Sequence, residues 1–191
     1  MPTKKPIYII EHLEPELFEW CLIEYEHISE IIGRENLWFT NIKLKDVKKL
    51  SSFGKVFSES VRNMKLNNAC VLDPEATFTL EPSKNFDYYI FGGILGDYPP
   101  RKRTGNELTK FISNAEARNI GKEQMSTDNA VFTVKEIASG KKFSELKFTD
   151  NATIEINEFE SVDLPYRYNL VDGKPFMSKK IKNYLLKKKG F

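Results

Sequence analysis

Residues 86–104 read FDYYIFGGILGDYPPRKRT, and this stretch decides how the rest of the chain is interpreted. It begins as an aromatic, apolar run that is typical of a buried β-strand. It then breaks at Gly92, Gly93 and Gly96, where the main chain can approach a ligand without a Cβ in between. In open α/β sheets, ligands bind in such loops at the carboxyl ends of strands. The alternative is a glycine turn that only ends a core strand.

A second loop of similar character strengthens the interpretation as a binding site. Residues 119–128 read NIGKEQMSTD and follow another short strand pattern. Four carboxylates also follow predicted strands or begin a predicted helix: Glu11, Asp73, Asp97 and Asp128. Each of them alone is typical of a turn or a helix cap. Together, beside glycine loops, they favour a pocket for a cationic ligand or substrate.

The order of the predicted elements indicates the fold class. Strands are predicted at residues 7–10, 37–42, 69–72, 86–91 and 117–120, with a late hairpin from residues 153–159 and 168–171. Helices are predicted at residues 15–32, 45–64 (interrupted near Gly54), 106–114, 126–140 and 181–186. Strands that alternate with helices predict an α/β fold, with a mostly parallel sheet flanked by helices. A chain of 191 residues is most simply one domain, here residues 1–191.

Composition narrows the class of protein. The chain is 40% hydrophobic, and its longest apolar run, residues 88–95, is far shorter than the roughly 20 residues of a membrane helix. The first residues carry charge but no apolar signal core, so no secretion signal is evident. Cys21 and Cys70 lie in apolar segments, as expected of buried free thiols in a reducing compartment. We therefore expect a cytoplasmic protein that does not enter a membrane.

The net charge of +2 conceals an uneven distribution along the chain. Eight glutamates and one base, Arg34, lie between Glu11 and Glu35. The other end is basic, with Lys179, Lys180, Lys182, Lys187, Lys188 and Lys189. Both segments could be solvated helix faces. The alternative is an acidic surface for a basic partner, and a basic tail for RNA or a ribonucleoprotein.

Several common sites are absent from the sequence. There is no phosphate-binding loop of the Gly-x-x-x-x-Gly-Lys type and no Gly-x-Gly-x-x-Gly pattern, which removes support for ATP and dinucleotides. The two cysteines and two histidines have no metal-ligand spacing, so no metal site is predicted. No nucleophile-elbow pattern is present. His12 follows a strand and is either a site residue or a hydrogen-bonded structural histidine.

The motifs resemble one known family over nearly the whole chain. The matching segments keep their order and are residues 8–12, 19–20, 24–25, 35–37, 72–74, 76–77, 91–97, 99–101, 103–104, 124–125, 127–128 and 165–168. They resemble the fungal SPOUT-class protein arginine methyltransferases, which modify a small-subunit ribosomal protein of the uS3 type. That family has also been described as putative RNA methyltransferases. The chain departs from it in a shorter 42–67 region, in Tyr98 instead of a histidine, and in Glu75 instead of an arginine.

The resemblance implies a fold, a cofactor and a set of site residues. It implies a SPOUT fold with a trefoil knot in the C-terminal half, S-adenosylmethionine as the methyl donor, S-adenosylhomocysteine as the product, and a monomer. The implied cofactor-binding residues are Leu72, Asp73, Pro74, Phe91, Gly92, Gly93, Leu95, Gly96, Asp97, Gly121, Met125, Thr127 and Asp128. The substrate-binding residues that we assign with it are Glu11, His12, Glu19, Trp20, Arg101 and Arg103.

Arginine methylation assigns a chemical role to the acids. A guanidinium stays protonated, with a pKa above about 12, and its nitrogen lone pairs are delocalised. The enzyme must therefore orient the guanidinium and accept a proton late in the transfer, and carboxylates can do both. We expect Glu11, Glu19 and Asp97 to be the catalytic acids. Two alternatives remain open at this point: a SPOUT methyltransferase that acts on rRNA or tRNA, and a non-catalytic binding module in ribosome assembly.

Overall fold

A parallel sheet of six short strands forms the centre of the molecule. The computed structural model describes residues 5–97, 99–155 and 159–187. The strands are β1 (Ile7–His12), β2 (Leu37–Thr40), β3 (Lys55–Val56), β4 (Ala69–Leu72), β5 (Tyr88–Gly93) and β6 (Ala115–Arg118). Their order in the sheet is β3-β2-β1-β5-β4-β6, and each neighbouring pair is parallel. The predicted mostly parallel α/β architecture is confirmed.

Helices cover the sheet on both faces. They are α1 (Glu19–Ile32), α2 (Val47–Leu50), α3 (Arg103–Glu107), α4 (Thr127–Ala138) and α5 (Lys179–Lys187). One face of the sheet carries Ile10 and Phe91, which pack in a core cluster with residues of α1 and α4. The other face carries Ile9 and Ile90, in a second cluster that includes Leu108. This alternation of adjacent strand residues is the period-two pattern of a sheet buried on both sides.

A small antiparallel sheet completes the fold. It consists of β7 (Phe148–Glu155), β8 (Ser161–Val171) and β9 (Lys174–Pro175), in the order β7-β8-β9. Leu164 and Tyr168 of β8 pack in a third core cluster with Ile23 of α1 and Ile181 of α5. The late hairpin is thus present, and it attaches α5 to α1. The predicted strand residue Ile156 lies outside the described residues.

The first helix begins later than predicted. Residues 15–18 are not helical, and α1 starts at Glu19 after Phe18 in extended conformation. The reason is that the chain keeps contact with β5 beyond β1, since Leu13 N donates to Gly93 O at 3.1 Å. Glu14 then accepts a hydrogen bond from Leu95 N, which keeps this segment beside the glycine loop.

The predicted helix at residues 45–64 is wrong for most of its length. The segment contains the short α2, the strand β3 and 3₁₀ turns at Leu44–Asp46 and Val61–Asn63. Gly54 explains the break, because a Cβ at Gly54 would stand 2.6 Å from Leu37 O. The chain is pressed against β2 there and continues as a sheet strand. The predicted helix at residues 106–114 is likewise replaced by α3 and a 3₁₀ turn at Thr109–Phe111.

The acidic first helix and the basic end of the chain pack against each other. Lys180 of α5 forms an ion pair with Glu26 of α1 at 2.6 Å. Part of the basic tail therefore pairs within the molecule and is not free for another partner. Lys188, Lys189 and the side chain of Lys182 lie outside the described part of the chain. Among the described residues, no helix is both long and apolar enough to cross a membrane.

Candidate functional site

A pocket opens at the carboxyl ends of β4, β5 and β6. Three loops line it, and each follows one of these strands. The predicted site residues that the structure brings together there are Leu72, Asp73, Pro74, Phe91, Gly92, Leu95, Gly96, Asp97, Arg101, Arg103, Gly121, Met125 and Thr127. Further lining residues, which were not among the predicted site residues, include Glu75, Ile94, Thr104, Ile120, Gln124 and Ala130. Their sequence signal is their position in or beside the glycine loops and the matching segments.

Gly96 allows the closest approach in this pocket. A Cβ at Gly96 would stand 2.5 Å from a ring carbon of Tyr166 and 2.7 Å from Nε2 of Gln124. The Tyr166 hydroxyl also donates to Gly96 O at 3.1 Å. Gly121 has a φ of +92°, a conformation that favours glycine. Two of the predicted glycines are therefore required by the local geometry of the pocket wall.

Glu14 holds the glycine loop in place. Its Oε1 accepts a hydrogen bond from Leu95 N at 2.9 Å and another from Arg103 at 2.8 Å. Arg103 also donates to both carboxylate oxygens of Glu107, at 2.7 Å and 3.1 Å. The hydrogen bonds to Glu107 contribute most to raising the pKa of Arg103, and the bond to Glu14 adds to this effect. Arg103 is thus a structural cation that fixes the loop, and Glu14 is a supporting residue that sequence reasoning missed.

Two further cations at the rim, Arg101 and Lys102, are also paired with acids. Arg101 donates to Asp97 at 2.5 Å, and this hydrogen bond lowers the pKa of Asp97. Lys102 pairs with Glu75 at 2.9 Å. Gln124 joins the two pocket loops, because its Nε2 donates to Asp97 O at 3.1 Å. Asp97 is therefore an ionised carboxylate at the rim that already has a cationic partner.

Glu11, predicted as a catalytic acid, lies away from the pocket. It is fully buried at 0% exposure. Its carboxylate accepts hydrogen bonds from Thr40 Oγ1 and Ser60 Oγ, each at 2.5 Å, and from Val61 N at 3.0 Å. These donors come from β2 and the segment after β3, on the other side of β1 from the glycine loop. The geometry gives Glu11 a structural role, which joins three segments of the chain.

Gly93 and His12 also face the interior instead of the pocket. A Cβ at Gly93 would stand 2.2 Å from the Tyr25 hydroxyl oxygen. Nδ1 of His12 lies 2.9 Å from the same hydroxyl, and burial lowers the pKa of His12. Core packing against Tyr25 therefore requires the glycine at position 93. Gly93 is not among the residues that line the pocket, and its predicted contact with a ligand stays a prediction.

Asp128 lies behind the pocket wall in a buried polar cluster. Its carboxylate accepts hydrogen bonds from Ser126 Oγ at 2.6 Å and Asn129 N at 2.8 Å, and its Oδ2 lies 2.7 Å from Nδ1 of His27. Glu24 of α1 is buried beside it at 6% exposure. Burial, followed by the negative charge of Asp128, raises the pKa of Glu24 to about 8.

The first turn of α1 carries the two predicted substrate residues, Glu19 and Trp20. Glu19 is exposed and has no hydrogen-bond partner within the described ranges. Trp20 is half-buried, and its ring meets Tyr184 of α5 edge-on at 5.4 Å between centroids. Its Nε1 donates to Glu24 Oε1 at 2.8 Å. The four-residue spacing of Trp20 and Glu24 was the one sequence signal that could have identified Glu24.

Comparisons with known proteins cover nearly the whole chain. A family model described as "SFM1-like: Protein arginine N-methyltransferase SFM1-like" matches residues 7–190. The Protein arginine N-methyltransferase SFM1 of Saccharomyces cerevisiae is 36% identical over 190 residues, which cover 89% of each chain. The crystal structure of the yeast arginine methyltransferase SFM1 complexed with SAM has a TM-score of 0.87 at 33% identity, covering 98% of this chain and 92% of that one.

A more distant structure shares the fold alone. The dual specific Trm10 from Thermococcus kodakaraensis has a TM-score of 0.58 at 16% identity, covering 74% of this chain and 96% of that one. The parallel sheet flanked by helices thus matches the SPOUT structures of SFM1 and Trm10.

Proposed function

Because the chain belongs to the SFM1-like family of protein arginine N-methyltransferases, we propose that it transfers a methyl group from S-adenosylmethionine to an arginine of a small-subunit ribosomal protein. The observation that carries this proposal is the pocket at the ends of β4, β5 and β6, which three glycine- or proline-containing loops form. Ligands of open α/β sheets bind at this end of the strands.

The pocket fits a nucleoside cofactor. Leu72, Phe91, Leu95 and Met125 line it and offer an apolar surface to an adenine ring. Gly96 lets the loop pack closely against Tyr166 and Gln124, which shapes the pocket wall. When bound, S-adenosylmethionine supplies a methyl group on a positively charged sulfonium, and S-adenosylhomocysteine is the product. We assign the cofactor contacts to the predicted residues that line the pocket, and we leave out Gly93 and Asp128, which do not.

The residues of the chain must orient a charged guanidinium and remove a proton from it. Asp97 stands at the pocket rim and is ionised, so it can share its charge between Arg101 and a substrate arginine. Glu19 and Trp20 extend the acidic and aromatic surface along the start of α1. We assign Asp97, Glu19 and Trp20 to substrate contact. We do not retain Glu11, because its carboxylate is already occupied by three donors.

A protein substrate agrees better with the charges near the pocket than RNA does. Of the four cations that line the pocket, Arg101, Lys102 and Arg103 are each paired with an acid of the same chain, and Lys122 has no ion pair within the described ranges. Free cations are what a phosphate backbone needs from a protein surface. Glu19 is exposed and has no such partner within the described ranges.

A transfer assay tests the proposal directly. Cofactor labelled in its methyl group is incubated with the enzyme and, separately, with small-subunit ribosomal proteins, rRNA and tRNA. We expect label in one ribosomal protein, recovered as methylarginine after acid hydrolysis. Label in RNA would support the alternative of an RNA methyltransferase. Cofactor binding without transfer to any of these would support a non-catalytic assembly module.

Further properties belong to this proposal by family analogy. We infer a single domain with a trefoil knot in its C-terminal half, a monomer in solution and a cytoplasmic location. We also infer that the basic end of the chain contacts the ribosome or its rRNA. Lys180 contributes less to such a contact, because it is paired with Glu26. Light scattering during turnover tests whether the protein is a monomer. An experimental structure tests the knot, which is present if the chain stays knotted when its two ends are joined.

A further inference from the structure

Glu24 occupies a buried position directly behind the pocket wall. It lies where α1 meets the N-terminus of α4 and the strand β8. Trp20 Nε1 donates to its carboxyl at 2.8 Å, and the side chain and main chain of Thr127 lie close enough to act on its pKa. Thr127 also lines the pocket. Thr127 is therefore adjacent both to the Glu24 carboxyl and to the proposed cofactor site.

The groups around Glu24 leave it short of partners. From α4, Asp128 faces it, and from β8 the Tyr166 and Tyr168 hydroxyls lie within range of its charge. Asp128 takes the strongest donors, from Ser126, the Asn129 main chain and His27. Within the described ranges, Glu24 forms no ion pair with a lysine or an arginine. When two carboxyl groups lie side by side, the one that accepts fewer hydrogen bonds holds the proton.

Tyr166 connects Glu24 with the pocket rim. Its hydroxyl donates to Gly96 O at 3.1 Å. Burial raises the pKa of Tyr166, and the charges of Glu24 and Asp97 add to this effect. Tyr166 therefore lies close enough to both acids for their charges to act on it. Trp20 and Tyr166 are thus two aromatic side chains close to Glu24, and aromatic rings bind a guanidinium by stacking.

We propose that Glu24 is a catalytic residue that binds the substrate guanidinium between Trp20 and Tyr166 and accepts its proton. The inference rests on the proposed function. The arriving guanidinium replaces the indole N–H of Trp20 as the donor to Glu24, and a proton leaves Glu24 for the solvent. The nitrogen–methyl bond then forms as the methyl–sulfur bond breaks, and the sulfur keeps the electron pair. The attacking nitrogen gives its proton to the Glu24 carboxylate.

The buried environment suits this chemistry. A general base works best when its pKa lies near the operating pH. The carboxylate form of Glu24 becomes dominant only above a pH of about 8 in the free enzyme. A bound guanidinium stabilises the carboxylate, so substrate binding itself prepares the base. Glu19, five residues earlier, is exposed and has no comparable environment.

The experiment compares Glu24→Gln and Glu24→Asp with the control Glu30→Gln, which removes an exposed acid of the same helix. We measure the Kd of S-adenosylmethionine by calorimetry, and kcat and KM for the methylated ribosomal protein between pH 6 and pH 9. We expect Glu24→Gln to lower kcat by about 10²- to 10³-fold while the Kd changes less than about twofold. Glu24→Asp should retain part of the rate, and Glu30→Gln should match the wild type.

The pH profile separates catalysis from a structural role. The wild-type kcat/KM should rise with pH up to about 8, because the free enzyme must lose the Glu24 proton, and Glu24→Gln should lose this rise. The inference would be overturned if the wild type methylates arginine and Glu24→Gln is equally active with the same pH dependence. The proposed function would remain intact in that case. A wild type that methylates no arginine would overturn the proposed function itself. Should Glu24→Gln fail to bind cofactor, Glu24→Asp decides: an unchanged kcat and pH profile would overturn the inference.

Discussion

Glu11 of β1 and Glu24 of α1 are both buried glutamates, yet their surroundings differ. Glu11 sits in a polar junction of β1, β2 and the segment after β3, where three donors reach its two oxygens. Glu24 sits in an aromatic junction of α1, α4 and β8, where a second carboxylate faces it. The first site is complete without a ligand. The second gains from the arrival of a cation.

The comparison shows that burial alone does not separate a structural acid from a functional one. The number of donors supplied by the protein does so, because each charged hydrogen bond stabilises the carboxylate by about 1.5–3 kcal/mol. A carboxylate with its full set of donors has little affinity left for a substrate. One that lacks donors and faces another acid favours either a proton or a positively charged ligand.

The largest effect should follow from the removal of Glu11. Glu11→Ala leaves the Thr40 and Ser60 hydroxyls and the Val61 N–H without their acceptor. We expect a loss of about 3–5 kcal/mol in the free energy of unfolding, or roughly 6–20 °C in Tm. Calorimetric melting measures it, with Glu30→Gln as the control for loss of a negative charge. A Tm within about 2 °C of the wild type would mean that the junction around Glu11 adds little stability.

The second effect concerns pH and the junction around Glu24. The pKa of Glu24 rises from 4.5 to about 8 on folding, so the folded state binds the proton more tightly than the unfolded state. The stability gained from this proton is fully present below pH 4.5 and is lost as the pH rises through about 8. Glu24→Gln should therefore gain on the order of 3 kcal/mol relative to the wild type between pH 5 and pH 8.

Melting curves at several pH values test this expectation. The Tm of the wild type should fall relative to that of Glu24→Gln across the window. Parallel Tm curves for the two proteins would show that Glu24 titrates normally. The comparison with Glu11 would then lose its electrostatic basis.

Substitutions of two glycines in the same loop should have different effects, one on stability and the other on cofactor binding. Gly93→Ala places a methyl group against Tyr25 in the core, and Gly96→Ala places one against Tyr166 at the pocket. We expect Gly93→Ala to lower stability by about 1–3 kcal/mol, as overpacking does. Gly96→Ala should mainly weaken cofactor binding. Thermal melting and cofactor titration of both proteins are the measurements, and equal effects on the Kd would contradict the division.

The smallest effect should come from the exposed acid at the start of α1. Glu19→Gln removes a solvent-screened charge, which is worth about 0–1 kcal/mol in an ion pair. We expect KM for the basic substrate to rise by up to about fivefold, with kcat and Tm unchanged. Steady-state kinetics at low and high salt measure it, since screening should remove the difference. A large fall in kcat would indicate that Glu19, and not Glu24, acts at the reacting centre.

The sequence identified the sheet and the loops that line the pocket, because their signals are local. Buried strands and glycine breaks, as around Gly96, are visible in a few consecutive residues. It did not distinguish Glu11 from Glu24, since the donors to Glu11 come from residues 29 to 50 positions away. The region around Gly54 was misjudged for the same reason. Only contact with Leu37 of β2 makes the helical pattern there unfavourable.

The edge-on contact between Trp20 and Tyr184 gives the protein an optical reporter. The chain has two tryptophans, and Trp38 lies far from this contact, beside Phe57 and under the ammonium of Lys55. A Trp38→Phe protein would keep one indole emitter, whose N–H is bound to a buried carboxyl. Displacement of that indole would shift its emission wavelength. Fluorescence could then follow arginine peptides entering the enzyme in stopped flow, without a label on either partner.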